Sequence, residues 1–409
     1  MYTVFALVVL VVLGVAGYLF LNRQAVASAN EHRGTKGLQP KEHSDMPKPH
    51  TKKPHLKHHG PTHHHANSAD IAKPKQPHVP DHPLLCHVLK GHTGPITSAC
   101  FSPNGRFIAT ASTDRTIRLT LRESLGSKNP TFKTINIPYD YATTCTFSSD
   151  GKTLGVVTAD GQAVMLYHKF KTKPECLHTF PIHHDVASLL LNDVGDKWMT
   201  IVTVGRDDDT VVKCWDVDGA LLQSTNIHQI QNFHGMQSKD NRFIAVAAFT
   251  PEVKIYEIHR KKGTGAFDKM HKVMALQGHT SGVLDVAFDG SDSTPVNHIV
   301  TTSKDGSVRV WDINVRYKLE EDPKCIKTYT SSVVYSTIDV TPNGKLLALG
   351  HGQDVTFVRV DSMEVVLSIA HAQEDAITRL QFDAAGYQLL VQGTNTRLVK
   401  VYNAPGVAA

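Results

Sequence analysis

The sequence predicts an all-β fold, a closed ring of seven similar sheets, with one membrane-spanning helix ahead of it. Three observations carry this reading. A strand-and-turn phrase recurs seven times after residue 84, no segment beyond that point keeps a long helical periodicity, and Tyr2 to Leu21 is an unbroken apolar run.

The plainest copy of the phrase is SKDGSVRVWD, Ser303 to Asp312: a tight Asp-Gly turn, a strand in which Val308 and Val310 alternate with polar residues, then Trp-Asp. The frame returns around Asp114, Asp160, Asp209 and Glu252, and in weaker form around Asp354 and Asn395. The positions equivalent to Trp311 are Thr120, Tyr167, Trp215, Tyr256, Val358 and Tyr402, and successive slots lie 41 to 55 residues apart. That period suits a four-stranded propeller blade. Upstream of each slot lies a second phrase, as in CFSPNGRFIATAS and IDVTPNGKLLALG. Asn-Gly and Asp-Gly between apolar runs signal hairpins, because Gly tolerates the positive φ that such turns need. Residues 84–409 are therefore read as a seven-bladed β-propeller of short antiparallel meanders. His87 to Leu89 is placed as the outer strand of the last blade, against Arg397 to Tyr402, so that the two segments close the ring and remove an exposed edge.

Residues 1–21 are assigned to a signal-anchor helix. The twenty uncharged residues from Tyr2 to Leu21 would span about 30 Å, the thickness of the hydrocarbon core, and so contact the bilayer directly. Tyr2 and Tyr18 fall near its ends, where amphipathic rings suit the interface. Ala25-Val26-Ala27 resembles a cleavage site, but no basic residue precedes the run and it exceeds the usual leader core. Arg23, Arg33, Lys36 and Lys41 follow it, so the positive-inside rule keeps the C-terminal side in the cytosol. Residues 22–83 are built from Pro, Lys, His and small polar residues without apolar periodicity, and are expected to form a disordered, semi-rigid linker. His58, His59, His63, His64 and His65 raise the question of metal, although nothing there fixes a coordination geometry. Lys48, Lys52, Lys53 and Lys57 would suit anionic lipid.

The formal charge of +5 is modest and gathers near the N-terminus, so no specific nucleic-acid site is expected. The six cysteines include no CxxC pair, and four lie in apolar or β-branched runs, the pattern of reduced, buried thiols. Asn129 is followed by Pro130, which spoils a glycosylation site.

The repeats resemble the WD40-repeat family. Its Gly-His signature stands at Gly91-His92 and Gly278-His279, and His184 and His371 occupy the slot without the Gly. The resemblance implies a buried hydrogen-bonded tetrad in each intact blade. Carried over, the complete set is His279, Ser303, Asp305 and Trp311, with blades two, four and six lacking it. A His–Asp–Ser combination imitates a catalytic triad, but this spacing is that of a clamp satisfying buried polar groups. Asn232 to Ile258 and Ser303 to Pro323 are further similar to a branch of the family in which a membrane span and a basic linker precede the propeller. That likeness implies a scaffold of the endoplasmic-reticulum membrane in the unfolded-protein response, with the stress kinase that restrains translation as a partner. The histidine-rich tether departs from that branch.

There is no GxSxG, HExxH or GxxxxGK, and no GxGxxG opens a helix, so no enzyme is expected and no catalytic residue, cofactor or small-molecule substrate is assigned. Asp207-Asp208-Asp209 lies in a blade turn, and three consecutive side chains cannot converge into a cation cage. What remains is binding surface for proteins. Arg260, Lys261, Lys262, Lys269 and Lys272 follow the fourth slot and Lys318 to Lys327 follows the fifth; together they form a candidate docking rim for an acidic or phosphorylated partner, with solvated loops as the plain alternative. A guanine-nucleotide-exchange or trafficking propeller of the early secretory pathway is the second functional expectation, although such proteins carry their span after the propeller.

Overall fold

The computed structural model describes residues 82–194, 198–291 and 294–406. The expected span at 2–21 lies outside them, as does nearly all of the expected linker; among the described residues no helix is long and apolar enough to cross a membrane. They form seven four-stranded sheets, every strand antiparallel to its neighbour, and the only helical segments among them are two single 3-10 turns, Arg122–Ser124 and Tyr317–Leu319.

Each sheet is an up-and-down meander whose strands are designated a to d from the centre outward. Blade 1 covers residues 96–136, blade 2 142–181, blade 3 186–226, blade 4 232–276, blade 5 283–330 and blade 6 337–369. Blade 7 takes strands a to c from residues 377–403 and its strand d from Leu85–Leu89. His87 lies opposite Val401 and Leu89 opposite Val399, the closure expected from the sequence.

Burial explains the strand sequences. Phe107–Ser112 and Phe243–Ala248, both strand b, are buried at every position and read as nearly continuous runs of small and apolar residues, because both faces of the sheet meet another blade. Strand d of blade 5, Lys324–Thr330, is exposed at all but one position and is correspondingly polar. The cores therefore lie between blades. Phe107, Ile117 and Ile135 of blade 1 pack on Cys145, Phe147 and Leu154 of blade 2, and Ile96, Phe101 and Ile108 pack on Leu390, Val399 and Val401 of blade 7. Cys100, Cys145 and Cys214 are buried, Cys86 is half-buried, Cys176 and Cys325 are exposed, and all six are free thiols.

The a–b hairpins use the turns read from the sequence. Gly105, Gly151 and Gly344 take φ of +70°, +66° and +69°. Beside each, a hydroxyl at the end of strand a ties the turn together: Ser102 donates to Asn104 Oδ1 at 2.9 Å and accepts the Phe107 N–H at 2.8 Å, and Thr341 repeats this with Asn343 and Leu346. All seven slot residues fall on strand c. In blades 2 to 6 the c–d pairing slips register immediately before the slot residue, so a β-bulge marks the place where its side chain turns into the core.

Strands a surround a central channel with a cavity at each end. The cavity is about 340 Å³ on the side of the a–b turns and about 640 Å³ on the side of the b–c turns. The inner edge of each strand a has no strand to pair with, and side chains from the neighbouring blade take up its N–H groups. Ser98 accepts from Cys145 at 3.1 Å, Ser188 from Gly235 at 2.9 Å, Asp285 from Ile338 at 3.0 Å, Asp339 from Phe382 at 2.6 Å and Gln381 from Phe101 at 2.9 Å.

Burial pushes the Asp339 carboxyl up to about 6. A carboxyl whose pKa rises on folding favours the native state below its unfolded value near 4 and loses that contribution as pH climbs through 6. Asp339→Asn keeps an acceptor for the Phe382 N–H and removes the charge. It is expected to stabilise the propeller by about 2–3 kcal/mol at pH 7.5 and to bring no gain at pH 4; denaturant unfolding of both proteins at the two pH values checks this.

Candidate functional site

In blades 1 to 5 the d–a connection delivers a polar side chain to the b–c turn of the blade it enters. In blade 5 this is His279. Its Nδ1 lies 2.9 Å from Asp305 Oδ2, its Nε2 lies 2.7 Å from Thr301 Oγ1, and the same Thr301 oxygen accepts the Trp311 indole N–H at 2.9 Å. One proton arrangement satisfies every member: Trp311 donates to Thr301, Thr301 to His279 Nε2, and His279 Nδ1–H to Asp305. Burial lowers the pKa of His279 against the pull of Asp305, which keeps the ring neutral. Burial would raise that of Asp305, but hydrogen bonds from Ser307, the Thr280 N–H and His279 outweigh it and hold the carboxyl well below its usual range.

The bridging hydroxyl is therefore that of Thr301, and this corrects the assignment of Ser303. Both lie on one face of strand b. Trp311 sits opposite Ile299, so the next position on that face is Thr301, and Ser303 is a further step away, roughly 7 Å along the strand. Ser303 instead donates to the Gly282 carbonyl at 3.0 Å and accepts the Asp305 N–H at 3.2 Å, which fastens the turn. Thr301 is wholly buried, and its hydroxyl is engaged on both sides. The cluster has the residue types of a triad but no room for a substrate.

A second complete clamp stands in blade 3, where the sequence marked the slots of His184, Asp209 and Trp215 but not the bridging Thr203. His184 bonds Asp209 at 3.0 Å and Thr203 at 2.8 Å, and Trp215 donates to Thr203 at 3.0 Å. Gly91 and Gly278 precede the clamp His of blades 1 and 5 with φ of +117° and +154°; His183 occupies that place with φ of +50°. Asp209 is thus committed to His184, while Asp207 exchanges backbone hydrogen bonds with Asn232, and the acidic run does not converge. Blade 1 holds His92 between Asp114 and Thr110, each at 2.9 Å, with Thr120 in the Trp slot. His371 is exposed, has φ of +51° and faces Gln353 at 2.8 Å; the clamp position of blade 7 belongs to the buried Gln373. Asp140 in blade 2 and Gln229 in blade 4 hold the same turn through other bonds.

The expected basic rim is smaller than the sequence suggests. Arg260, at the end of strand c of blade 4, reaches across to blade 3 and donates to the Asn192 carbonyl at 2.9 Å, to the Asn192 side chain and to the Trp198 carbonyl at 3.4 Å. It is a strut between blades rather than a free cation. Lys272 pairs with Glu252 at 3.2 Å, and Lys327 donates to the Asp361 carbonyl at 3.0 Å. Lys261, Lys262 and Lys269 stay exposed at the c–d end of blade 4. At the opposite end, beside the wider channel mouth, Ile230 and Phe249 are exposed, Phe249 meets Phe233 edge-on at 6.5 Å, and Lys304 Nζ stands 4.5 Å from the Phe249 ring centre. Phe233 lines that mouth.

Seven blades, three of them locked by His–Thr–Asp clamps and two of those completed by an indole, define a propeller of the WD40 class. The WD domain, G-beta repeat family matches residues 84–120 and 270–312. Both windows begin in a strand d and end in strand c of the next blade, or at its border, so the sequence repeat is offset by one strand from the structural blade. Human transducin beta-like protein 2 is 30% identical over 348 residues, 82% of this chain and 75% of that protein, and the mouse protein is 30% identical over 349 residues with the same shares. A guanine nucleotide-binding protein subunit beta of Solanum tuberosum is 24% identical over 340 residues, 77% of this chain and 82% of that protein. The chain belongs to the WD40-repeat family, together with transducin beta-like protein 2.

Thr301→Val leaves the Trp311 N–H and the His279 Nε2 without partners and is expected to cost about 2–3 kcal/mol, with a similar loss for Thr203→Val. Ser303→Ala should cost about 1 kcal/mol. Denaturant unfolding ranks the three, and a larger loss for Ser303→Ala would reverse the assignment of the bridge.

Proposed function

We propose that this protein is a scaffold that gathers partner proteins on the b–c face of its propeller while the segment at 2–21 tethers it to the endoplasmic-reticulum membrane, the propeller facing the cytosol. The observation that carries the scaffold reading is the Ile230–Phe233–Phe249 patch beneath Lys304. It combines aromatic anchors, a cation and a concave mouth on a rigid frame, which is where binding energy concentrates in protein interfaces. The tether and its orientation rest on the uncharged run and on the basic residues that follow it. A role in the unfolded-protein response, with the translation-restraining kinase as partner, rests on the likeness of residues 232–258 and 303–323 to the membrane-anchored branch of the family. Lys261, Lys262 and Lys269 offer acidic or phosphorylated segments a second contact on the other rim.

Ile230→Ser combined with Phe249→Ser in the full chain is expected to cut partner labelling by a propeller-fused proximity enzyme about tenfold, the usual effect of losing a hot spot, with little change in unfolding temperature. Undiminished labelling would remove this face from the assignment. In intact microsomes the propeller should be open to added protease; its protection would invert the topology.

A further inference from the structure

We propose that Glu257, His259 and His271 form a divalent-metal site, suited to Zn²⁺, on the outer hairpin of blade 4. The hairpin brings them together. Glu257 and His259 are two residues apart on strand c and share a face, and His271 of strand d lies directly opposite Glu257. One ligand atom from each falls within 4.8 Å of the others, and the two imidazole rings have centres 4.5 Å apart. Tetrahedral zinc with bonds of about 2.0–2.2 Å places its ligand atoms roughly 3.4 Å apart, so ligand atoms within 4.8 Å of one another need to close in by at most about 1.4 Å.

Two further observations point to a ligand. The Nδ1 of His271 is buried without a hydrogen-bond partner, a rare condition for a ring nitrogen. The carboxylate is also held in place: Glu257 Oε1 accepts from Arg242 Nε at 2.9 Å and from the Tyr317 hydroxyl at 2.8 Å, while Oε2 faces His259 at 2.9 Å. Such outer partners orient a metal-binding carboxylate. Two imidazoles and a carboxylate favour zinc over calcium or magnesium, which take mainly oxygen. The His259 side chain is 36% exposed, which gives the ion an entry and leaves a coordination position for water. Arg242 beside Glu257 tempers the affinity and marks the site as one that exchanges its ion. A bound ion would join strands c and d of blade 4 to the Tyr317 turn of blade 5, on the same hairpin whose turn carries Lys261 and Lys262.

The histidines at 58–65 must be kept apart from this site in any test. A ligand held only by the folded propeller raises its unfolding temperature, whereas one bound equally by folded and unfolded chain does not. Zinc chloride is therefore titrated into the purified full chain and into a full chain with His58, His59, His63, His64 and His65 changed to Ser. Both should gain roughly 3–6 °C near saturation, and H259Q and H271Q should gain nothing. Co²⁺ should give visible d–d absorption in the tether variant that is lost when H259Q is added. H259Q, at a partly exposed position, decides the matter if H271Q fails to fold. No thermal shift in the tether variant, or a full shift retained in H259Q, would overturn the site.

Discussion

A four-stranded sheet has two faces, and in this protein both are apolar, so a blade can be covered only by another blade on each side. A row of such sheets always leaves two faces bare unless the row closes. Pairing Leu85–Leu89 with Val399–Asn403 supplies the last contact, and the core it creates draws Cys86 and Leu89 together with Ile96, Phe101, Leu390 and Val401. The inner hoop depends on the same closure. Gln381 of blade 7 caps the Phe101 N–H of blade 1, and Gln392 donates to the Thr97 carbonyl, bonds that exist only in a complete ring. Because each sequence repeat starts one strand early, closure needs no special element: the first repeat leaves its leading strand for the last blade.

Within that ring the clamps are adjustable. The strand c slot beside which strand d bulges must be filled, but an indole is not the sole solution. Tyr402 sends its hydroxyl to the Ala372 carbonyl at 2.6 Å and so ties strand c of blade 7 to the d–a connection, the work Trp311 performs through Thr301. Tyr167 and Tyr256 fill the slot in blades 2 and 4, and burial pushes both phenols up to about 12. On the other side of the clamp, Asp140 accepts the Asp160 and Gly161 N–H groups directly, doing with one carboxylate what His92 and Asp114 do as a pair in blade 1. The b–c turn is held in blades of quite different sequence because several side chains can satisfy the same few backbone groups.

Whatever depends on local period could be read from the sequence. Blade number, hairpin turns, slot positions and the closing strand follow from runs of a few residues with a Gly at a fixed offset. What depends on register between strands could not. Thr301 and Ser303 share a face and a hydroxyl, and only the offset of Trp311 against Ile299 separates them. The His184 clamp likewise finds its bridging Thr203 only through the offset of Trp215 against Ile201. Arg260 looks like part of a basic run because its neighbours are lysines, yet its place at the end of strand c sends it across to the next blade. Glu257, His259 and His271 are spread over fifteen residues, and the distance between them is set by a c–d pairing with two register slips.

Those last features share an origin in two overlong hairpins that meet at one end of the ring. Strands a and b of blade 3, Val186–Val194 and Trp198–Gly205, run nine and eight residues, and strands c and d of blade 4, Val253–Arg260 and Phe267–Leu276, run eight and ten. In most other blades strands of five to seven residues suffice. In an up-and-down meander the a–b and c–d turns emerge on the same side, so the two extensions grow toward each other and Arg260 bridges them. The same length lets His259 and Lys269 sit past the point where ordinary blades stop, and it accounts for part of the widest gap between slots, from Tyr256 to Trp311. The clamped turns of the opposite face have no such freedom, since an Asp carboxylate fixes most of them. One end of this ring is thus a firm platform with a small aromatic patch, and the other is where added residues accumulate cations, imidazoles and a carboxylate without disturbing the blades beneath.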